Sequence, residues 1–261
     1  LQLSCIFVKI EIMFKRLKII AIEAKAHAPF TLLGAVAGIL FMLIFQQFDE
    51  GVGHWLFAVF HPAHVVLSAM ITAAMFRLHL PKRKHIVAVV AIGYFGSIGV
   101  ATVSDIMLPH LGLDALGLRV PVHADVHHAA DHDEHSHEHH EDGCEHGHNG
   151  FHFGFIEEWY LVNPAALLGI VIAFFLPRTR LPHAGHVLVS TWASSAYMLM
   201  DPELAFSAAV VPAIFLVLFL SVWVPCCLSD IVFPLLFVPS DAKPAHGHCH
   251  WCGADKPEDE K

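Results

Sequence analysis

Two histidine pairs and two aspartates stand at matched positions in an otherwise oily chain: His61 and His64 precede Ser104-Asp105, and His183 and His186 precede Ser229-Asp230. Residues three apart share one face of a helix, so each pair turns both imidazoles the same way. Neutral imidazole is the commonest metal ligand among side chains, and a carboxylate from the following segment would complete a set. Ser68, Ser104, Ser190 and Ser229 would act as weak ligands or fix a histidine tautomer. Cys226 and Cys227 lie just before Asp230, and thiolates there would favour zinc or copper(I) over magnesium or calcium. The expected metal path is therefore His61, His64, Asp105, His183, His186, Asp230, Cys226 and Cys227. The plainer alternatives are histidines that hydrogen-bond between helices, aspartates that cap helix ends, and cysteines that only pack.

Two further groups carry the rest of the 23 histidines' chemistry. In the first, His127, His128, His132, His135, His137, His139, His140, Cys144, His146 and His148 are interleaved with Asp and Glu. Overlapping N/O ligand sets without core-forming residues make a flexible chelator for zinc, nickel, cobalt or copper(II). A tract whose histidines titrate together as a pH sensor is the alternative. In the second, His246, His248, Cys249, His250 and Cys252 combine a Cys-x-x-Cys with histidine at zinc-like spacing. The histidine-rich segment resembles the loops of zinc permeases and cation-diffusion facilitators. That resemblance covers the segment alone, none of the apolar runs, and implies metal handling.

The elements that must position these groups are apolar. Of 261 residues, 56% are hydrophobic and 15% charged, with a mean hydropathy of +0.58; a soluble domain has about 45–50% and about 25%. An ordinary soluble enzyme is excluded. The formal net charge of -9 excludes nucleic acid as a partner, since counterion-driven binding needs a basic surface. Six cysteines are too scattered for a disulfide framework. Apolar runs predict six transmembrane helices near Pro29–Gln47, Trp55–Phe76, Ile86–Pro109, Trp159–Leu176, His183–Met200 and Ala205–Leu228. The surplus around Phe48–Phe60, with Gly51 and Gly53, fits either an interfacial or re-entrant piece or a longer second helix.

Lysine and arginine are retained on the cytoplasmic side. Lys15, Arg16, Lys18 and Lys25 precede the first run, Arg77, Lys82, Arg83 and Lys84 follow the second, and Arg178 and Arg180 follow the fourth. Both termini are thus expected in the cytoplasm and the histidine-rich loop outside it, in a prokaryotic inner or cell membrane. The expected organisation is a cytoplasmic or interfacial segment at 1–27, a first membrane repeat at 28–113, the disordered loop at 114–158, a second repeat at 159–238 and the metal-binding tail at 239–261. Met13, ahead of Lys15-Arg16, reads as an alternative start.

Self-similarity is the most informative pattern. Pro29 to Gly34 aligns with Pro164 to Gly169, His61-Pro-Ala-His64 with His183-Ala-Gly-His186, and Ser104-Asp105-Ile106 with Ser229-Asp230-Ile231. Three blocks recur in one order, one per run, and an odd number of crossings inverts the second half. The fold class expected is an all-α polytopic membrane protein whose six helices form a 3+3 inverted-topology repeat, an architecture recurrent in secondary transporters. Read this way, the halves place one histidine and aspartate cluster towards each face of the membrane.

The function expected is transport of a divalent transition metal, zinc, nickel, cobalt or copper, as substrate or bound ion, without enzymatic activity. Partners expected are lipid, metal ions, and a second copy or companion subunit. A membrane metalloenzyme, whose histidines and aspartate activate water, and a metal- or pH-responsive accessory protein are the alternatives. The sequence has no P-loop motif, which points to an ion gradient, membrane potential or separate subunit as driving force.

Overall fold

The computed structural model describes residues 21, 25, 28–48, 51–79, 85–117, 158–175, 181–201, 204 and 206–227, with the side chains of 78, 79, 181–183 and 227 excepted. Among these residues the chain is all-helical. Its helices are α1 (Ala28–Phe45), α2 (Val52–His79), α3 (Ile86–Ala115), α4 (Trp159–Phe175), α5 (Leu181–Met198) and α6 (Val210–Cys227). Three, α1 to α3, are long and apolar enough to cross a membrane; α4 and α6 are shorter apolar helices.

The surplus before His61 belongs to α2, one helix of 28 residues that begins at Val52 and carries Pro62 in its interior. Proline there removes one backbone donor, and its ring crowds the carbonyl four residues back, that of Ala58. Pro182 instead lies in the first turn of α5, where the missing N–H costs little.

Side-chain neighbours fix the helix directions. Gly34 and Gly38 of α1 face Thr191 and Ser195 of α5, so these two run parallel. Gly169 of α4 meets Val66 and Ala69 of α2. Further along, Arg77 Nη1 donates to the Ala173 carbonyl at 2.8 Å, so α2 and α4 are parallel too. The guanidinium also lies 4.4 Å from the Phe174 ring centroid, where a cation is attracted to the π-face. Phe57 and Tyr197 are ring neighbours at 5.8 Å, which with His64 beside His186 sets α2 antiparallel to α5. Gly93 against Ala73, and Asp105 against His61, set α3 antiparallel to α2. Helix α2 occupies the middle, packed on α3, α4 and α5.

The polarity of this bundle is reversed relative to a soluble one. His61, His64, Asp105, His186, Ser190 and Thr191 are buried, whereas Leu33, Trp55, Val87, Phe95 and Phe175 stand more than 60% exposed. Close packing depends on small residues: a methyl on Gly169 would overlap the Val66 carbonyl oxygen. Interfaces of that kind let helix backbones approach where burial of apolar surface gives no net gain.

One irregularity interrupts α3. Val103–Met107 forms a π-helical turn, with the Leu108 N–H bonded to the Val103 carbonyl five residues back. Pro109 follows two residues later, and a proline ring clashes with the carbonyl four residues before it. The wider turn opens the helix where that clash would fall, at Asp105.

Candidate metal centre

The π turn brings Asp105 into the space between α2 and α5, fully buried. Its Oδ2 accepts from His61 Nδ1 at 2.9 Å and from His64 Nδ1 at 2.7 Å. Its Oδ1 accepts from the Ser104 hydroxyl at 2.7 Å and the Ser190 hydroxyl at 3.3 Å. Ser194 braces the same corner, its hydroxyl lying 2.9 Å from the Ser190 carbonyl and 3.1 Å from the Ser104 carbonyl. A group that accepts four hydrogen bonds and gives none has the pattern of an ionised carboxylate.

The tautomers follow from those acceptors. Because a carboxylate oxygen only accepts, His61 and His64 both carry hydrogen on Nδ1, and each neutral ring turns a bare Nε2 away from Asp105. For His64 that nitrogen faces His186 Nε2 at 2.8 Å, the rings 4.7 Å apart and tilted by 34°. With no hydrogen on His64 Nε2, the shared hydrogen of this contact comes from His186. For His61, whose ring stacks on Phe57 at 4.8 Å and 9°, Nε2 is buried and has no hydrogen-bond partner among the described residues.

Cys226 of α6 completes the group. The ligand atoms of His64, His186 and Cys226 lie within 4.8 Å of one another, and all three residues are buried. Two imidazole nitrogens and one sulfur, with a carboxylate behind one imidazole, are the donor set that a carboxylate–histidine–metal site would use. Asp105 thus stands behind the ligands, its oxygens taken up by four donors.

His61, His64 and Asp105 of the first half meet His186 of the second, where the sequence led us to expect His64 and His186 in separate clusters, one towards each face. The physical reason is the length of α2. His64 sits 12 residues after Val52, roughly 18 Å down the helix at about 1.5 Å per residue, which brings it alongside His186. The side chains of His183 and Cys227, and the whole of Ser229 and Asp230, lie outside the described residues, as do the histidine-rich segment and the tail. Ser68 is buried without a hydrogen-bond partner among the described residues and joins no part of this network.

Sequence reasoning missed three participants. Ser194 and the π turn carry no pattern of their own. His110, five residues beyond Asp105, has Nδ1 3.1 Å from the Tyr197 hydroxyl, and Tyr197 in turn neighbours Phe57; the signal available was a lone histidine at the end of an apolar run. No protein-family model, curated protein or solved structure matches this chain.

Proposed function

We propose that the chain is an integral membrane transporter of a divalent transition-metal cation of the zinc, nickel, cobalt or copper class. In this reading it is built as two inverted three-helix repeats, with the cation carried between them. The observation that bears most weight is the buried trio His64, His186 and Cys226, drawn from both halves and backed by a fully buried carboxylate. Ionisable groups are costly inside a membrane and are retained where they handle a substrate or charge. The reversed polarity of the bundle, polar within and apolar without, supports a lipid surrounding.

The packing supports duplication. Gly34 and Gly169 are equivalent in the repeat. Gly34 rests α1 on α5, and Gly169 rests α4 on α2. Each half's first helix thus leans on the other half's second helix, as a two-fold relation requires. His64 and His186, also equivalent by sequence, meet where that axis would pass, and the substrate of inverted-repeat transporters lies at such an interface. The histidine-rich segment collects metal on one side and the Cys/His tail receives it on the other.

Uptake of radiolabelled zinc, nickel, cobalt and copper into proteoliposomes tests the reading. We expect flux of at least one metal above that of empty vesicles, abolished by His64→Ala with His186→Ala. Flux of all four equal to that of empty vesicles would falsify it.

A further inference from the structure

We propose that the cation held at His64, His186 and Cys226 is a four-coordinate, thiolate-bound divalent ion of the zinc and cadmium kind, selected by charge balance as much as by ligand type. This rests on the metal reading above and narrows its substrate class.

The donors come first. Sulfur in the set disfavours hard, oxygen-seeking cations. Three protein ligands with a fourth position left open is a coordination that zinc accepts, whereas nickel tends towards square-planar or six-coordinate surroundings. Nothing near can raise the number through Asp105, because both its oxygens already accept two hydrogen bonds each. Seating the ion asks for adjustments of about 1 Å: a tetrahedral ion separates two nitrogen ligands by about 3.3 Å and nitrogen from sulfur by about 3.6 Å, against 2.8 Å between His64 Nε2 and His186 Nε2 and up to 4.8 Å across the trio.

Charge decides the rest. Asp105 and Cys226 are 0% and 2% exposed, so net charge left in this cluster has no water to relieve it. Binding releases the Cys226 thiol proton to solvent, and His186 carries its hydrogen on Nδ1 instead of Nε2 so that Nε2 is free to ligate. The metal-bound thiolate with the Asp105 carboxylate makes two negative charges. A divalent ion brings the sum to zero; the neutral imidazoles contribute none. Asp105 therefore acts as a counter-charge one histidine removed from the ion, and Cys226 contributes both a soft donor and the second charge.

The test uses the full-length protein in detergent with Co²⁺ as probe, comparing wild type with Cys226→Ser and Cys226→Asp so that metal held by the loop and tail cancels in the difference spectrum. In wild type we expect a thiolate-to-cobalt charge-transfer band that Cys226→Ser removes and that zinc or cadmium, but not nickel, displaces. Cys226→Ser should lower zinc affinity by about 100-fold, and Cys226→Asp, which restores the charge without the sulfur, should recover it to within about tenfold while the band stays absent. A band unchanged in Cys226→Ser overturns the ligand assignment, Asp no better than Ser overturns the charge argument, and displacement by nickel as readily as by zinc overturns the selectivity. Cadmium NMR checks the ligands directly: a resonance in the mixed nitrogen and sulfur range that is present in wild type and absent from Cys226→Ser supports the assignment, and identical spectra of the two overturn it. A Cys226-dependent band in a protein without flux would end the transport reading and leave this one standing. Flux without that band would do the reverse.

Discussion

The α2–α3 side of the cluster and the α5–α6 side meet the same small space with unlike chemistry. On the first side two imidazoles share one carboxylate oxygen, and Ser104 holds the other, joined by the Ser190 hydroxyl reaching across from α5. On the second side His186 and Cys226 approach as candidate ligands, and Ser194 ties the Ser190 carbonyl to that of Ser104 across the seam. The carboxylate and the imidazoles it orients thus lie on one side and the sulfur on the other. If the halves descend from one ancestor, the shared scaffold is kept in the glycine contacts, while the side chains at the centre have diverged into distinct duties.

The largest effect expected on this division is that of Asp105→Ala. It leaves His61 and His64 Nδ1–H and two hydroxyls without their acceptor, at about 1–3 kcal/mol for each buried donor that finds no other partner. Denaturant titration in mixed micelles should therefore show a loss of about 3 kcal/mol or more, and a loss under about 1 kcal/mol would remove Asp105 as the organiser. Next comes the link between the sides. A double-mutant cycle of His64→Ala and His186→Ala should return a coupling of about 0.5–3 kcal/mol; strict additivity would mean that the two faces do not communicate.

The helix packing is probed by two glycines that align in sequence, Gly34 and Gly169. Gly169→Ala forces a methyl into the Val66 carbonyl and Ala69, while at Gly34 the nearest atom is the Thr191 hydroxyl, 3.0 Å away on a side chain. We expect about 1–3 kcal/mol for the first and under about 1 kcal/mol for the second. Equal losses by thermal unfolding would show that the two contacts are equally tight. Smallest is Tyr197→Phe, which removes only the hydrogen bond with His110 and should cost about 0.5–1.5 kcal/mol, read from the same unfolding curves, with zinc affinity unchanged.

The helices were legible because a hydropathy window reports the cost of placing a segment in or out of water, and that cost is large from Pro29 to Gln47 or from Ile86 to Pro109. Within the site, the His-x-x-His spacing and the Ser-Asp pairs were legible for the same reason that they matter, since charge and imidazole are rare in such segments. Axial offset was not. Whether His64 lies at a mouth or at the level of His186 depends on how many turns precede it, and Gly51, Gly53 and Trp55 read equally as an interfacial piece or as helix. Nor did sequence place Cys226 beside His64, because the rotation of α6 about its axis leaves no trace in composition: α6 is apolar all round. His110 with Tyr197 was hidden in a different way, as the partners stand 87 positions apart and neither belongs to a repeated block.

The π turn of α3 has a consequence for how that helix serves two neighbours. One extra residue in a turn slips everything beyond it by about 100°, the angle between successive residues of an α-helix. Before the slip, Gly93 faces Ala73 and Ile170 in the α2 and α4 layer; after it, Gly112 faces Val217 of α6. A straight α3 with the same residues could keep one of these seams in phase, not both. Asp105 lies at the dislocation itself, so deleting a residue near Val103 would restore a regular helix at the expense of its alignment with one of its two partners.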